Sequence, residues 1–170
     1  MRIFKTIEEF KASPKHSIVV VLDNIRSLNN VGSFFRTADS FLLEGIFLCG
    51  ITGQPPHREI EKTALGATLS VDWKYFQNTS DALNDLRKKG YKILGVEQHE
   101  KSILLQSVEI NRDDKIAVIF GNEVTGISAD ILQMCDAIIE VPQLGTKHSL
   151  NVAVCGGIVC WEILRKMEVY

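Results

Sequence analysis

The 170-residue sequence has only four cysteines, Cys49, Cys135, Cys155 and Cys160, and no Cys-x-x-Cys pair. A disulfide framework is therefore unsupported, and three of the four lie in apolar runs where a reduced thiol acts as a small hydrophobe. That usage fits a reducing, cytoplasmic compartment. Long hydrophobic runs are missing too. The longest nearly uncharged stretch, Leu150–Trp161, is too short to span a bilayer, and the N-terminus lacks the apolar region of a signal peptide. There is no excess of one charge, since 19 Lys+Arg stand against 21 Asp+Glu for a net −2. Any contact with nucleic acid must come from a local patch. No repeat, low-complexity tract or Pro/Gly linker divides the chain, which predicts one domain over residues 1–170, with 1–17 a short helical extension.

The common cofactor fingerprints are absent as well. No Gly-x-Gly-x-x-Gly follows a strand, so a standard dinucleotide site is unsupported. Gly121–Gly126 has the spacing of a phosphate-binding loop, but Ile127-Ser128 follows where Lys-Ser/Thr is required. His16, His57, His99 and His148 are scattered without metal-ligand spacing.

What is present is a soluble, core-forming composition, 45% hydrophobic and 24% charged. Thr6 and Glu9 make a capping box for an opening helix that ends near Ser13-Pro14. Ile18–Leu22 is a continuous β-branched run of the kind covered on both faces of a parallel sheet. Strands and helices then alternate. The spacing predicts helices over Asn30–Leu42, Arg58–Leu65, Ser80–Lys89 and Ala129–Met134. It predicts strands at Ile46–Cys49, Ser70–Tyr75, Lys92–Val96, Ile116–Phe120 and Ala137–Val141. The expected fold class is α/β, a mostly parallel sheet with helices on both faces. The last segment reads as a helix capped by Ser149, with Gly156 and Gly157 as places of close backbone approach. Such an apolar helix needs burial all round, by the core and by a second subunit.

Ligands of open α/β sheets sit beyond the carboxyl ends of strands, and three such junctions are rich in polar residues. In the first, Asn30 is the expected helix cap, and Arg36 lies four residues after Gly32, whose missing side chain leaves the guanidinium a path back along the helix. The second, Gly121–Gly126, puts Glu123 at the rim of the sheet. The third runs from Val141-Pro142 to Ser149-Leu150-Asn151. Each alone is compatible with a capped turn.

Together and in this order, the three junctions resemble the SpoU (TrmH-type) branch of the SPOUT RNA methyltransferases. Asn30–Ala38 reads Asn-Val-Gly-Ser-Phe-Phe-Arg-Thr-Ala, Gly121–Gly126 reads Gly-Asn-Glu-Val-Thr-Gly, and Pro142 leads to Ser149-Leu150-Asn151. Leu65-Gly66-Ala67 also resembles a family segment. The resemblance covers about Val20 to Leu164. It implies a C-terminal trefoil knot, a homodimer, and S-adenosylmethionine bound by backbone near Val96, Gly121, Val141 and Leu150. It further implies methyl transfer to a ribose 2′-hydroxyl of tRNA or rRNA, with Asn30, Arg36, Glu123, Ser149 and Asn151 lining the catalytic site and no metal required. A guanidinium offers only donors, so Arg36 is expected to clamp phosphate and hydroxyl bidentately and not to act as a base. Arg26, His57, Arg58, Lys62, Lys101, Lys147 and His148 are candidates for a basic rim on which RNA would rest, with a separate RNA-delivery partner as a candidate helper. A base-methylating SPOUT enzyme and an inactive RNA-binding protein are the alternatives.

Overall fold

The computed structural model describes residues 5–146 and 149–170, so Lys147 and His148 of the expected basic rim lie outside the described residues. Seven strands form one sheet: β1 (His16–Asp23), β2 (Leu43–Cys49), β3 (Trp73–Phe76), β4 (Lys92–Val96), β5 (Ile103–Leu104), β6 (Ile116–Phe120) and β7 (Ala137–Glu140). Their order is β3-β2-β1-β6-β4-β7-β5, and every pairing is parallel. Among the described residues, six α-helices cover the faces: α1 (Ile7–Ala12), α2 (Leu28–Ser40), α3 (Arg58–Ala64), α4 (Thr79–Lys88), α5 (Ala129–Gln133) and α6 (Val152–Lys166).

The strand alternation explains why β1 has no polar face. Ile18, Val20 and Leu22 enter one core with Phe34, Phe35, Val159 and Ile163, beneath α2 and α6. Val19 and Val21 enter the other with Leu83, Leu86 and Ile131, beneath α4 and α5. Each such side chain contributes roughly 1.5–3 kcal/mol when fully buried. Asp23 ends β1 in the second layer, where the Thr79 hydroxyl and the Asn24 amide donate to its carboxylate. Burial raises its pKa above the usual carboxylate range against those two hydrogen bonds.

Several boundaries differ from expectation for local reasons. The opening helix carries the expected Thr6–Glu9 capping box. Helix α2 starts at Leu28, because the Ser27 side chain accepts from the Asn30 N–H, so Asn30 lies inside the first turn instead of capping it. Strand β3 starts only at Trp73, since Ala67–Leu69 form a 3-10 turn and Ser70 donates to Asp39. Helix α6 is capped by Asn151, not Ser149: the Asn151 Oδ1 accepts from Ala153 and Val154 at 2.9 and 3.2 Å. Of its two glycines, only Gly156 meets a neighbour, the Phe34 ring, while a Cβ on Gly157 would meet open space. The two-residue β5 is too short to show a sequence period.

Candidate active site

The sheet turns outward from β1 in both directions, so its carboxyl edge opens a crevice where β4, β6 and β7 end. A cavity of about 500 Å³ lies there. It is bounded by Val96 and Glu97 after β4, by the loop from Gly121 to Gly126 after β6, by Glu140 and Val141 at the end of β7, and by Ser149–Val152 and Cys155 leading into α6. Val96, Gly121, Val141 and Leu150, singled out in the sequence, therefore all face one cavity.

Glycine is needed in the β6 loop because the loop folds back on itself. A Cβ on Gly121 would lie 2.5 Å from the Gly126 carbonyl carbon and the Ile127 nitrogen. Gly126 has φ +66°, a region that disfavours a side chain. Asn122 fixes the turn from within: its Oδ1 accepts from Val124 and Thr125 at 2.9 and 3.1 Å, and its Nδ2 donates to the Asn24 carbonyl at 2.8 Å.

Three predicted site residues form one chain of hydrogen bonds. The Asn151 Nδ2 donates to Asn30 Oδ1 at 3.2 Å, and the Asn30 Nδ2 donates to Glu123 Oε1 at 3.1 Å. The Glu123 carboxylate also accepts from the backbone N–H groups of Arg26 and Ser27, at 2.9 and 3.0 Å. Burial alone would push the Glu123 pKa up, but these N–H donors outweigh it and hold the carboxyl below its ordinary range. The same position places its negative charge at the amino end of α2, where the helix dipole favours an anion. Glu123 is thus a carboxylate committed to the protein's own donors.

Arg36 stands apart. It lies about 9 Å further along α2 than Asn30 and about 120° around it, by helix geometry. It is exposed and forms no ion pair among the described residues. Gly32 does not clear a path for it. A Cβ there would overlap Thr63 Oγ1 and the Ile60 carbonyl oxygen, so the missing side chain lets α2 and α3 meet. Thr63 seals that contact by donating to the Asn29 carbonyl at 2.8 Å.

Sequence reasoning passed over Glu97, Asn122 and Glu140. Each follows or ends an apolar strand at its carboxyl end, which was the available signal. Among the described residues, no group of three or more His, Cys, Asp or Glu side chains could hold a metal ion, and no helix is long and apolar enough to cross a membrane.

Known proteins resemble this chain in sequence and fold. A protein of Staphylococcus saprophyticus named for the TrmH family of tRNA/rRNA methyltransferases is 26% identical over 94% of this chain and 63% of its own length. A tRNA (guanosine(18)-2′-O)-methyltransferase of Borreliella burgdorferi is 28% identical over 89% of this chain and 67% of its own. Among solved structures, an rRNA methyltransferase from Sinorhizobium meliloti with AdoMet bound superposes with a TM-score of 0.82 at 27% identity, over 89% of this chain and 57% of that one. The A. aeolicus TrmH/SpoU tRNA modifying enzyme superposes at 0.84 over 96% of this chain and 81% of that one; at 23% identity it speaks for the fold alone. The chain thus spans less than two-thirds of the length of the Staphylococcus relative and of the Sinorhizobium structure. The SpoU rRNA Methylase family matches residues 17–161, and with the sheet order and the three junctions described above the chain belongs to that family.

Proposed function

We propose that this chain is an S-adenosylmethionine-dependent methyltransferase acting on a ribose 2′-hydroxyl of tRNA or rRNA. The observation that carries the reading is that all three family junctions meet at one edge of the sheet, where Asn151, Asn30 and Glu123 are joined by hydrogen bonds beside the cavity. The cavity fits the cofactor in size, since small-molecule sites run from roughly 300 to 1,000 Å³. It fits in chemistry as well, combining apolar Val96, Phe120 and Leu150 with exposed loop backbone and carboxylates suited to a cation.

When bound, S-adenosylmethionine supplies an electrophilic methyl group. Backbone near Val96, Gly121, Val141 and Leu150 would hold it. Asn151 and Asn30 fix the start of α6 against the start of α2, and Glu123 locks the β6 loop to the same point. Arg36, exposed and without a protein anion, is the group placed to take a phosphate and hydroxyl bidentately. Orientation of this kind can supply up to ~7–11 kcal/mol of a barrier in favourable cases.

The reading includes a homodimer, a knotted C-terminal segment and a cytoplasmic setting. Supporting the dimer, Val154, Ile158 and Trp161 recur on one face of α6 and are 55%, 40% and 48% exposed, so the face expected to be buried is open in the single chain. A light-scattering mass of one chain at micromolar concentration would count against it.

The test uses methyl-labelled cofactor, total cellular RNA and the Arg36→Ala variant, followed by alkaline hydrolysis. A methylated 2′-oxygen cannot attack its neighbouring phosphate, so label in alkali-resistant dinucleotides that disappears with Arg36→Ala supports the reading. Label in mononucleotides points to base methylation instead. Label in neither fraction points to an RNA-binding protein without catalysis.

A further inference from the structure

Glu97 is a cavity residue that lies outside the three motifs. Its own N–H donates to the Ile139 carbonyl at 3.1 Å, extending the contact of β4 with β7 past Val96. Its Oε2 accepts from the Ile127 N–H at 3.0 Å, and its Oε1 from the Gln98 N–H at 3.2 Å. A Cβ on Gly126 would overlap that carboxylate, so the second glycine of the β6 loop makes room for Glu97. On the α6 side of the cavity, the Cys155 thiol is pushed up to about 11, by burial first and by the charge of Glu97 second. Glu97 and Cys155 thus line the same cavity, one after β4 and the other on α6.

The described lining contains three carboxylates, Glu97, Glu123 and Glu140, and no lysine, arginine or histidine. Glu123 is turned toward the amino end of α2, and Glu140 accepts from the Ser102 hydroxyl at 2.9 Å. Glu97 is held by two backbone N–H groups, one just ahead of α5, and makes no ion pair among the described residues. On the reading under Proposed function, the bound cofactor is a sulfonium carrying one positive charge more than the thioether left after the methyl group departs. The two molecules otherwise differ by a single methyl group. We propose that Glu97 is the specificity-determining residue by which the cavity prefers the cationic cofactor to the neutral product, so that transfer itself weakens binding and releases the spent molecule.

The experiment is calorimetric titration of the wild-type chain, Glu97→Gln and Glu97→Asp with three probes. These are S-adenosylmethionine, S-adenosylhomocysteine, and the amine analogue sinefungin, which is cationic near the sulfonium position. Glu97→Gln is expected to weaken both cations about tenfold, the scale of one nearby charge at intermediate dielectric. The thioether should change by less than about twofold, and Glu97→Asp should keep the preference. Equal weakening of all three probes would show a wall-building role only and overturn the proposal, as would no change in any. Should the Gln variant fail to fold, the wild type decides. It must bind both cations more tightly than the thioether, and equal affinity for all three overturns the proposal. Failure of the wild type to bind all three probes overturns the cofactor reading itself, and that result is distinct from any pattern in the variants.

Discussion

The side-chain amide of Asn151 donates to that of Asn30 at 3.2 Å, joining the cap of α6 to the first turn of α2 across 121 positions of chain. The direction of this bond is forced. Asn151 spends its oxygen on the Ala153 and Val154 N–H groups, so only its NH₂ is left to face Asn30. Asn30 must then offer oxygen to Asn151 and NH₂ to Glu123, whose carboxylate can only accept.

Because the two amides and the carboxylate form one chain, their substitutions should not add. Asn30→Ala and Asn151→Ala are each expected to cost about 1 kcal/mol of stability, the usual loss of a cap or of one hydrogen bond. The double variant should cost less than the sum by ~0.5 kcal/mol or more. Urea denaturation of the four proteins in a double-mutant cycle checks this, and simple additivity would refute the coupling.

Glu123 sets an acid limit on the same chain. Its carboxyl lies below the ordinary range when folded, despite the opposing effect of burial, whereas an unfolded glutamate titrates near ~4.3. A depressed folded value means the contribution is fully present above the unfolded pKa and is lost as pH falls through the folded one. Glu123→Gln should therefore remove part of the stability at neutral pH and flatten the fall that sets in below the unfolded pKa, near ~4.3, as pH drops through the folded value. Melting temperatures of both proteins across that range test it; parallel curves would contradict it.

Gly32→Ala probes the seam between α2 and α3. The added methyl group meets the Ile60 carbonyl and Thr63 Oγ1, so a loss of about 1–3 kcal/mol is expected, as for overpacked cores. Gly157→Ala, which meets open space on α6, should be neutral or slightly stabilising in the single chain. Thermal melts that rank the two in the opposite order would show the helix seam to be looser than described.

The cysteines should be unreactive. Burial pushes the thiols of Cys49 and Cys160 up to about 12 and those of Cys135 and Cys155 up to about 11. At ~pH 8, where an ordinary thiol near ~8.5 is already partly ionised, iodoacetamide should modify the folded chain slowly. Cys155, as the one lining the cavity, should be further protected by S-adenosylmethionine. Mass spectrometry of the alkylated peptides gives the answer, and rapid labelling of Cys155 would contradict the burial.

The fold class could be read from the apolar pattern, since Ile18–Leu22 of β1 and all of β6 are unbroken apolar runs and α2 buries Val31, Phe35 and Ala38 at helical spacing. The insertion of β6 between β1 and β4 could not be, because period says which face a residue takes and nothing about which strand lies beside it. At the site, the polar junctions pointed to Asn30, Glu123 and Asn151, but their mutual bonds span 93 and 121 positions and leave no local trace. Caps were misplaced for a different reason, since several good cap residues lie within a few positions of each helix start. Asn30 and Ser149 are good cap residues by type, and only the three-dimensional partners show that Ser27 and Asn151 hold those posts.

The place of β6 in the sheet also bears on how the chain is made. Ile18 pairs with Ile116, so one edge of β1 waits for a partner nearly a hundred residues downstream. At ordinary synthesis rates of roughly 5–20 residues per second, that wait lasts about 5–20 seconds. During it, β1, β2 and β3 stand as a half-sheet with an open Val-rich border beside the ribosome. The nascent chain is most prone to stray pairing in that interval, and a chaperone that shields strand edges would serve it best before Phe120 emerges.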